Sequence, residues 1–136
     1  MSELDKILEE ISKKLEEKSK LFDNTKRENI LIKVDSNNFE QIIKNNKIVV
    51  LDFWAEWCAP CHLYEPIFRR VAEKFKDNKN IVFGRVNVDE NTSLADALNV
   101  LNIPTTIIFL NGEPKDYLVG AVDEETLEKH IRDLIN

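Results

Sequence analysis

Ile48-Val49-Val50-Leu51-Asp52-Phe53-Trp54-Ala55-Glu56-Trp57-Cys58-Ala59-Pro60-Cys61 is the stretch whose reading decides the fold. Its first seven residues are almost continuously apolar, the pattern of a strand buried on both faces. From Cys61 to Lys76 the apolar residues recur at helical spacing. The chain's only two cysteines, Cys58 and Cys61, lie where the strand gives way to the helix. With no other cysteine available, a structural disulfide framework is excluded, and a Cys-x-x-Cys in this setting reads as a redox dithiol. A helix start turns free N–H groups and roughly half a positive elementary charge toward the first sulfur. That field favours the thiolate, which is the nucleophilic form.

Outward from this centre the chain divides in two. Residues 1–29 read as an extension and residues 30–136 as one domain. The periodicity predicts an amphipathic helix over 2–20, with Leu4, Ile7, Leu8, Ile11 and Leu15 on one stripe. Ser2 with Asp5 resembles a capping box, and Glu9/Lys13, Glu10/Lys14 and Glu16/Lys20 are acid-first i,i+4 pairs. Such a helix is marginal alone, so the stripe is expected to dock on its own domain, a second copy or a partner. Residues 21–29 read as a linker.

In the domain, Ile30 to Val34 reads as a strand, followed by a helix capped at Asp35 or Ser36 with Phe39, Ile42 and Ile43 inward. After strand 48–54 comes the long helix, interrupted by Pro66, which is expected to kink it. A strand over 80–88 and a short helix over 91–99 follow. Thr105 to Leu110 and Lys115 to Ala121 form a hairpin about Asn111-Gly112. Asp123 caps a last helix with Leu127, Ile131, Leu134 and Ile135 inward. Strand–helix alternation implies parallel pairing, and the hairpin adds an antiparallel edge. The fold class is α/β, a central mixed sheet flanked by helices.

The formal charge is −6, with 8 acids and 7 bases in residues 1–29 and 17 acids and 12 bases beyond. This mildly acidic domain offers no basic face for nucleic acid. No apolar run approaches the roughly 18 residues of a membrane span, and the N-terminus lacks the basic start and apolar centre of a signal peptide. A cytoplasmic location is the expectation. Cys58-Ala59-Pro60-Cys61-His62 also spells the c-type haem attachment pattern, but attachment of that kind goes with export. A zinc site from Cys58, Cys61 and His62 lacks a fourth ligand, so no metal is expected.

Six blocks, in order, resemble the thioredoxin family: Leu51 to Cys61, Pro66, Arg85-Val86-Asn87-Val88-Asp89, Ile103-Pro104-Thr105, Asn111-Gly112-Glu113 and Val119-Gly120-Ala121. The resemblance covers residues 30–136 and implies the thioredoxin fold and protein-disulfide reduction. It implies that Cys58 is the exposed nucleophile and that Cys61, more buried, resolves the mixed disulfide. Asp52 matches the family's buried acid. Burial would raise its pKa and suit it to take the Cys61 proton; otherwise it is a solvated end residue. Arg85 stands where the family commonly has Lys, and if it reaches Asp52 its permanent charge would hold that carboxyl more ionised. Pro104 matches a cis-proline, and the Ile103 backbone beside it would pair with an extended client segment. Trp57, Ile103, Pro104, Gly120 and Ala121 would form the apolar rim, with Trp54 in a packing role.

Two departures touch the sulfurs, where Pro60 keeps the family's residue. Ala59 replaces the usual Gly and stiffens the turn, and His62 replaces Lys or Arg, so the potential cannot be borrowed from the family. The resemblance implies no bound cofactor beyond a redox-active Cys58–Cys61 disulfide. It also implies re-reduction by a separate flavin-dependent thioredoxin reductase using NADPH, since this chain has no nucleotide-binding Gly pattern. Partners would be that reductase and disulfide-containing clients. The same cysteines would also serve an oxidant or isomerase, or a binding module that recruits through the N-terminal helix. A monomer is expected, with a dimer through that helix as the alternative.

Overall fold

The computed structural model describes residues 30–135; the helix expected over 2–20 and the linker over 21–29 lie outside them. Five strands form one sheet in the order β1-β3-β2-β4-β5: β1 (Leu31–Lys33), β2 (Ile48–Trp54), β3 (Ile81–Asn87), β4 (Thr105–Leu110) and β5 (Glu113–Val119). The helices are α1 (Phe39–Asn45), α2 (Ala59–Lys74), α3 (Thr92–Ala97) and α4 (Glu124–Ile135). The expected mixed sheet flanked by helices is therefore what forms.

β2 holds the centre, paired parallel with β3 and antiparallel with β4. Its apolar run has a direct cause: every residue from Ile48 to Phe53 is buried. Side chains alternate across the sheet with a period of two. Val49, Leu51 and Phe53 pack on one face with Val34, Val86, Ile107 and Phe109, covered by Phe39, Ile42 and Ile43 of α1 and Leu94 of α3. Ile48 and Val50 pack on the other with Tyr64, Phe68 and Val71 of α2 and Leu127 and Ile131 of α4. By the same alternation Asp52 and Trp54 face α2.

The pairing departs from the expected parallel arrangement at β4, which already runs antiparallel to β2. β3 finishes beside Trp54, at the C-terminal end of β2, and β4 re-enters the sheet at that same end, Thr105 pairing with Phe53, so it runs back along β2. The hairpin turn has φ of 53° at Asn111 and 84° at Gly112, the left-handed values that favour Asn-Gly. Pro114 sits on the edge strand β5, where a missing N–H is tolerated.

Smaller corrections follow from local hydrogen bonds. Asp35 accepts from the N–H groups of Asn37 and Asn38, so it caps a turn leading into α1 rather than α1 itself, whose first residue is Phe39. Asp123 does cap α4, accepting from Thr126 N–H at 2.7 Å. Leu127 and Ile131 are buried as expected, but Ile135 lies on the exposed side. Pro66 lies within α2 as read.

β3 passes between β1 and β2 at Gly84, which pairs with Ile32 on one side and Leu51 on the other. A Cβ there would lie 2.6 Å from Val34 Cγ2, 3.0 Å from Leu51 Cδ2 and 3.2 Å from the Ile32 carbonyl. Gly84→Ala is expected to lower stability by about 1–3 kcal/mol, the usual range for overpacking a core. The measurement is the urea midpoint, and an unchanged midpoint would mean that the Val34 side chain gives way freely.

Candidate active site

The reactive centre is built by the end of β2. Past Trp54 the chain turns through Ala55-Glu56-Trp57, and Cys58 N–H donates to the Ala55 carbonyl at 3.2 Å. Cys58 is extended (φ −90°, ψ 104°) and takes the N-cap position of α2, which begins at Ala59, two residues earlier than its apolar spacing suggested. Pro60 lies in the first turn, where its missing N–H costs nothing. The Cys58 sulfur accepts from Cys61 N–H at 3.3 Å. A cysteine thus replaces the oxygen side chain of an ordinary cap, and its sulfur meets the positive end of the helix.

Cys58 and Cys61 are joined as a disulfide, with Cα atoms 5.3 Å apart. Both are enclosed, packed with Ala55 against Trp54, Val88 and Ile103. Cys58 was expected to be exposed, but it retains only 4% exposure against 0% for Cys61. Cys58 is still the more accessible of the two. Its Sγ lies 3.8 Å from the Ile103 carbonyl oxygen. In the disulfide this is a contact; in the dithiol an S–H would have an acceptor there.

The Ile103–Pro104 bond is cis. Pro104 is buried, and its carbonyl accepts from Gly120 N–H at 2.8 Å. Gly120 has φ of 93°, a conformation glycine adopts without strain. Gly120 and Ala121 are thereby held beside the cis-proline turn, with Ala121 exposed. Trp57 is 71% exposed, and its indole N–H donates to Asp89 Oδ2 at 2.8 Å. Asp89, two residues past β3, was read only as part of the Arg85–Asp89 block and given no role, because nothing local ties it to a tryptophan 32 positions away. His62 is exposed, with its Nε2 2.6 Å from the Glu56 carbonyl. A carbonyl only accepts, so this nitrogen carries the proton. The ring also meets Trp54 edge-on at 6.3 Å.

Two residues before the end of β2, Asp52 is fully buried. Its β2 position is in register with Arg85 of β3 and Thr106 of β4. Arg85 Nε donates to Asp52 Oδ2 at 3.1 Å, and its guanidinium lies over the Trp54 ring at 4.2 Å. Trp54 is thus a stacking platform as well as a packing residue. Arg85 Nη1 also approaches Glu65 at 3.6 Å, and Glu65 binds Arg69 at 3.0 Å. Burial pushes the Asp52 carboxyl up to about 6, although the Arg85 charge and hydrogen bond pull it down. The expectation that Arg85 would reach Asp52 and hold it more ionised is met in direction, but burial acts against it more strongly. Lost hydration outweighs the pairing, and Oδ1 has no hydrogen-bond partner among the described residues. Nearby, Tyr64 shares a 2.7 Å hydrogen bond with Thr106, and burial pushes its phenol upward.

A family model described as Thioredoxin matches residues 30–133. The thioredoxin of Griffithsia pacifica is 36% identical over 103 residues, spanning 73% of this chain and 93% of that protein. The thioredoxin of Staphylococcus saprophyticus is 38% identical over 105 residues, spanning 74% and 98%. Among solved structures, a point mutant of the thioredoxin from Halobacterium salinarum superposes with a TM-score of 0.71 at 31% identity, covering 78% of this chain and 91% of that one.

A carboxyl that binds its proton more tightly in the folded protein adds stability below its unfolded pKa of 3.8. That stability is lost as pH rises through the folded value of about 6. The shift corresponds to a penalty of about 3 kcal/mol at pH 7. Asp52→Asn is therefore expected to raise stability by up to that amount at pH 7 and by almost nothing at pH 3.5. Urea unfolding at the two pH values measures this, and an equal change at both would refute the burial account.

Proposed function

Because this chain belongs to the thioredoxin family of protein-disulfide oxidoreductases, we propose that it works in the reducing direction on client-protein disulfides. The observation that carries the exchange chemistry is the Cys58 sulfur seated as the N-cap of α2, accepting the Cys61 N–H; the reducing direction is carried by the family. The helix end stabilises a thiolate there when the pair is reduced.

The exchange proceeds in two displacements. Cys58 thiolate attacks one client sulfur; the client S–S bond breaks and a Cys58–client bond forms. The departing client thiolate takes a proton. Cys61 then loses its proton and attacks Cys58 Sγ, expelling the second client thiolate. Two electrons pass to the client, and Cys58–Cys61 is left as the disulfide. Asp52, poised near pH 6 by burial, is the group we assign to receive the Cys61 proton, and Arg85 positions it and moderates its pKa. Trp57, Ile103, Pro104, Gly120 and Ala121 form the rim on which the client segment lies, and Asp89 fixes Trp57. Ala59, Pro60 and His62 surround the sulfurs and tune their potential.

The oxidised pair needs an external reductant, and the family points to a separate thioredoxin reductase drawing on NADPH through a flavin. Residues 30–136 are proposed as the self-sufficient catalytic domain, working as a monomer in the cytoplasm, with residues 1–29 an addition to it. Among the described residues no helix is long and apolar enough to cross a membrane.

Equilibration in glutathione buffers with thiol trapping gives the Cys58–Cys61 potential. A value below about −260 mV is expected for a reductant working against a glutathione pool. A value near −120 to −180 mV would place the protein among oxidants and isomerases instead. Cys61→Ser is expected to accumulate a mixed disulfide between Cys58 and a client, and Cys58→Ser to accumulate none. Non-reducing electrophoresis distinguishes them, and trapping by Cys58→Ser would reverse the assigned roles.

A further inference from the structure

In residues 30–135 four large apolar side chains are more than half exposed: Leu101 at 87%, Leu63 at 74%, Trp57 at 71% and Val119 at 61%. Isolated exposed leucines are ordinary, but clustering is not. All four lie within two residues of the disulfide or of a backbone group bonded beside it. Trp57 precedes Cys58, and Leu63 follows Cys61 by two positions on the first turns of α2. Leu101 precedes Ile103 by two positions, and the Ile103 carbonyl lies 3.8 Å from Cys58 Sγ. Two residues of chain span at most about 7 Å. Val119 precedes Gly120, whose N–H is bonded to the Pro104 carbonyl.

Trp57 and the Ile103–Pro104 turn already belong to the rim proposed above; Leu63 and Leu101 do not. They stand on separate segments, Leu63 on α2 and Leu101 before the cis-proline turn, each two residues from a group at the disulfide. We infer that Leu63 and Leu101 extend the client surface beside the disulfide and select clients whose attacked cysteine is flanked by large apolar side chains. The surface is continuous with the rim that must receive the attacked disulfide, which makes a client segment its occupant. This preference rests on the reductase reading. It adds a discrimination that the sulfur chemistry alone does not supply, because a leucine contact lowers the transition state only for a client able to bury it.

The test uses the full-length protein, reduced beforehand, and two synthetic peptides that differ only in the residues flanking their disulfide, Leu in one and Ser in the other. The wild-type protein is expected to reduce the Leu-flanked peptide with a kcat/KM about tenfold higher or more, the factor supplied by burying about half of a leucine side chain. Leu101→Ser should shrink that ratio roughly tenfold on the same basis, and Leu63→Ser should act in the same direction. Because both side chains are exposed, neither change threatens the fold, and the ratio is read within each variant. A ratio unchanged by both substitutions, or equal losses on both peptides, overturns the inference. So does self-association that Leu101→Ser abolishes while the ratio stays fixed, which would assign the surface to a second copy of the chain. A wild-type protein that reduces neither peptide overturns the reductase reading itself, and the selection with it.

Discussion

The enclosure of β2 between β3 and β4 is the constraint on which the rest of the structure depends. A central strand covered on both faces must be apolar in both of its alternating registers, and Ile48 to Phe53 meets that demand everywhere but at Asp52. The strand then delivers its end at a defined height above the sheet. Cys58 becomes the cap of α2 because α2 must turn back at once to cover the β2 face carrying Ile48 and Val50. The position of the sulfur is thus a consequence of core packing. The helix that fills the core is the same helix whose first turn faces the sulfur.

Asp52 is the one place where this strand opposes stability. Its carboxyl sits in the layer between sheet and α2, paired on one side with Arg85 and short of a hydrogen-bond partner on Oδ1 among the described residues. Arg85 cannot lose its charge, yet the cost of taking the carboxylate out of water is larger than the pair returns. The result is a carboxyl that changes protonation close to neutrality, which an exposed aspartate does not do. Arg85 is itself held on two sides, by the Trp54 ring and by Glu65, so the guanidinium is fixed before it meets Asp52.

The rim is assembled from distant parts of the chain. The turn at Ile103–Pro104 places the carbonyl of Ile103 at Cys58, and the Gly120 N–H ties the end of β5 to the same turn. Asp89 then fixes Trp57 from the end of β3. The outcome is a nearly closed pair of sulfurs ringed by exposed apolar side chains.

Much of this was legible before any coordinates. Near-continuous apolar runs, a hairpin turn and period-3.6 patterns located the strands and the helices that cover them, because burial writes itself directly into side-chain choice. Asp123 and Asn111-Gly112 announced a cap and a turn, since those devices act within a few residues. The strand–Cys-x-x-Cys–helix order marked the reactive centre for the same reason. What the sequence by itself determined, then, was everything carried by local spacing. Tertiary structure alone decided the direction of β4, which depends on the end of β2 at which the chain re-enters the sheet. It also decided the near-burial of Cys58 and the bond from Trp57 to Asp89, both of which depend on segments far apart in sequence. And it decided the balance at Asp52, where the sign of the shift is a difference between desolvation and pairing, two quantities that exist only once the neighbours are in place.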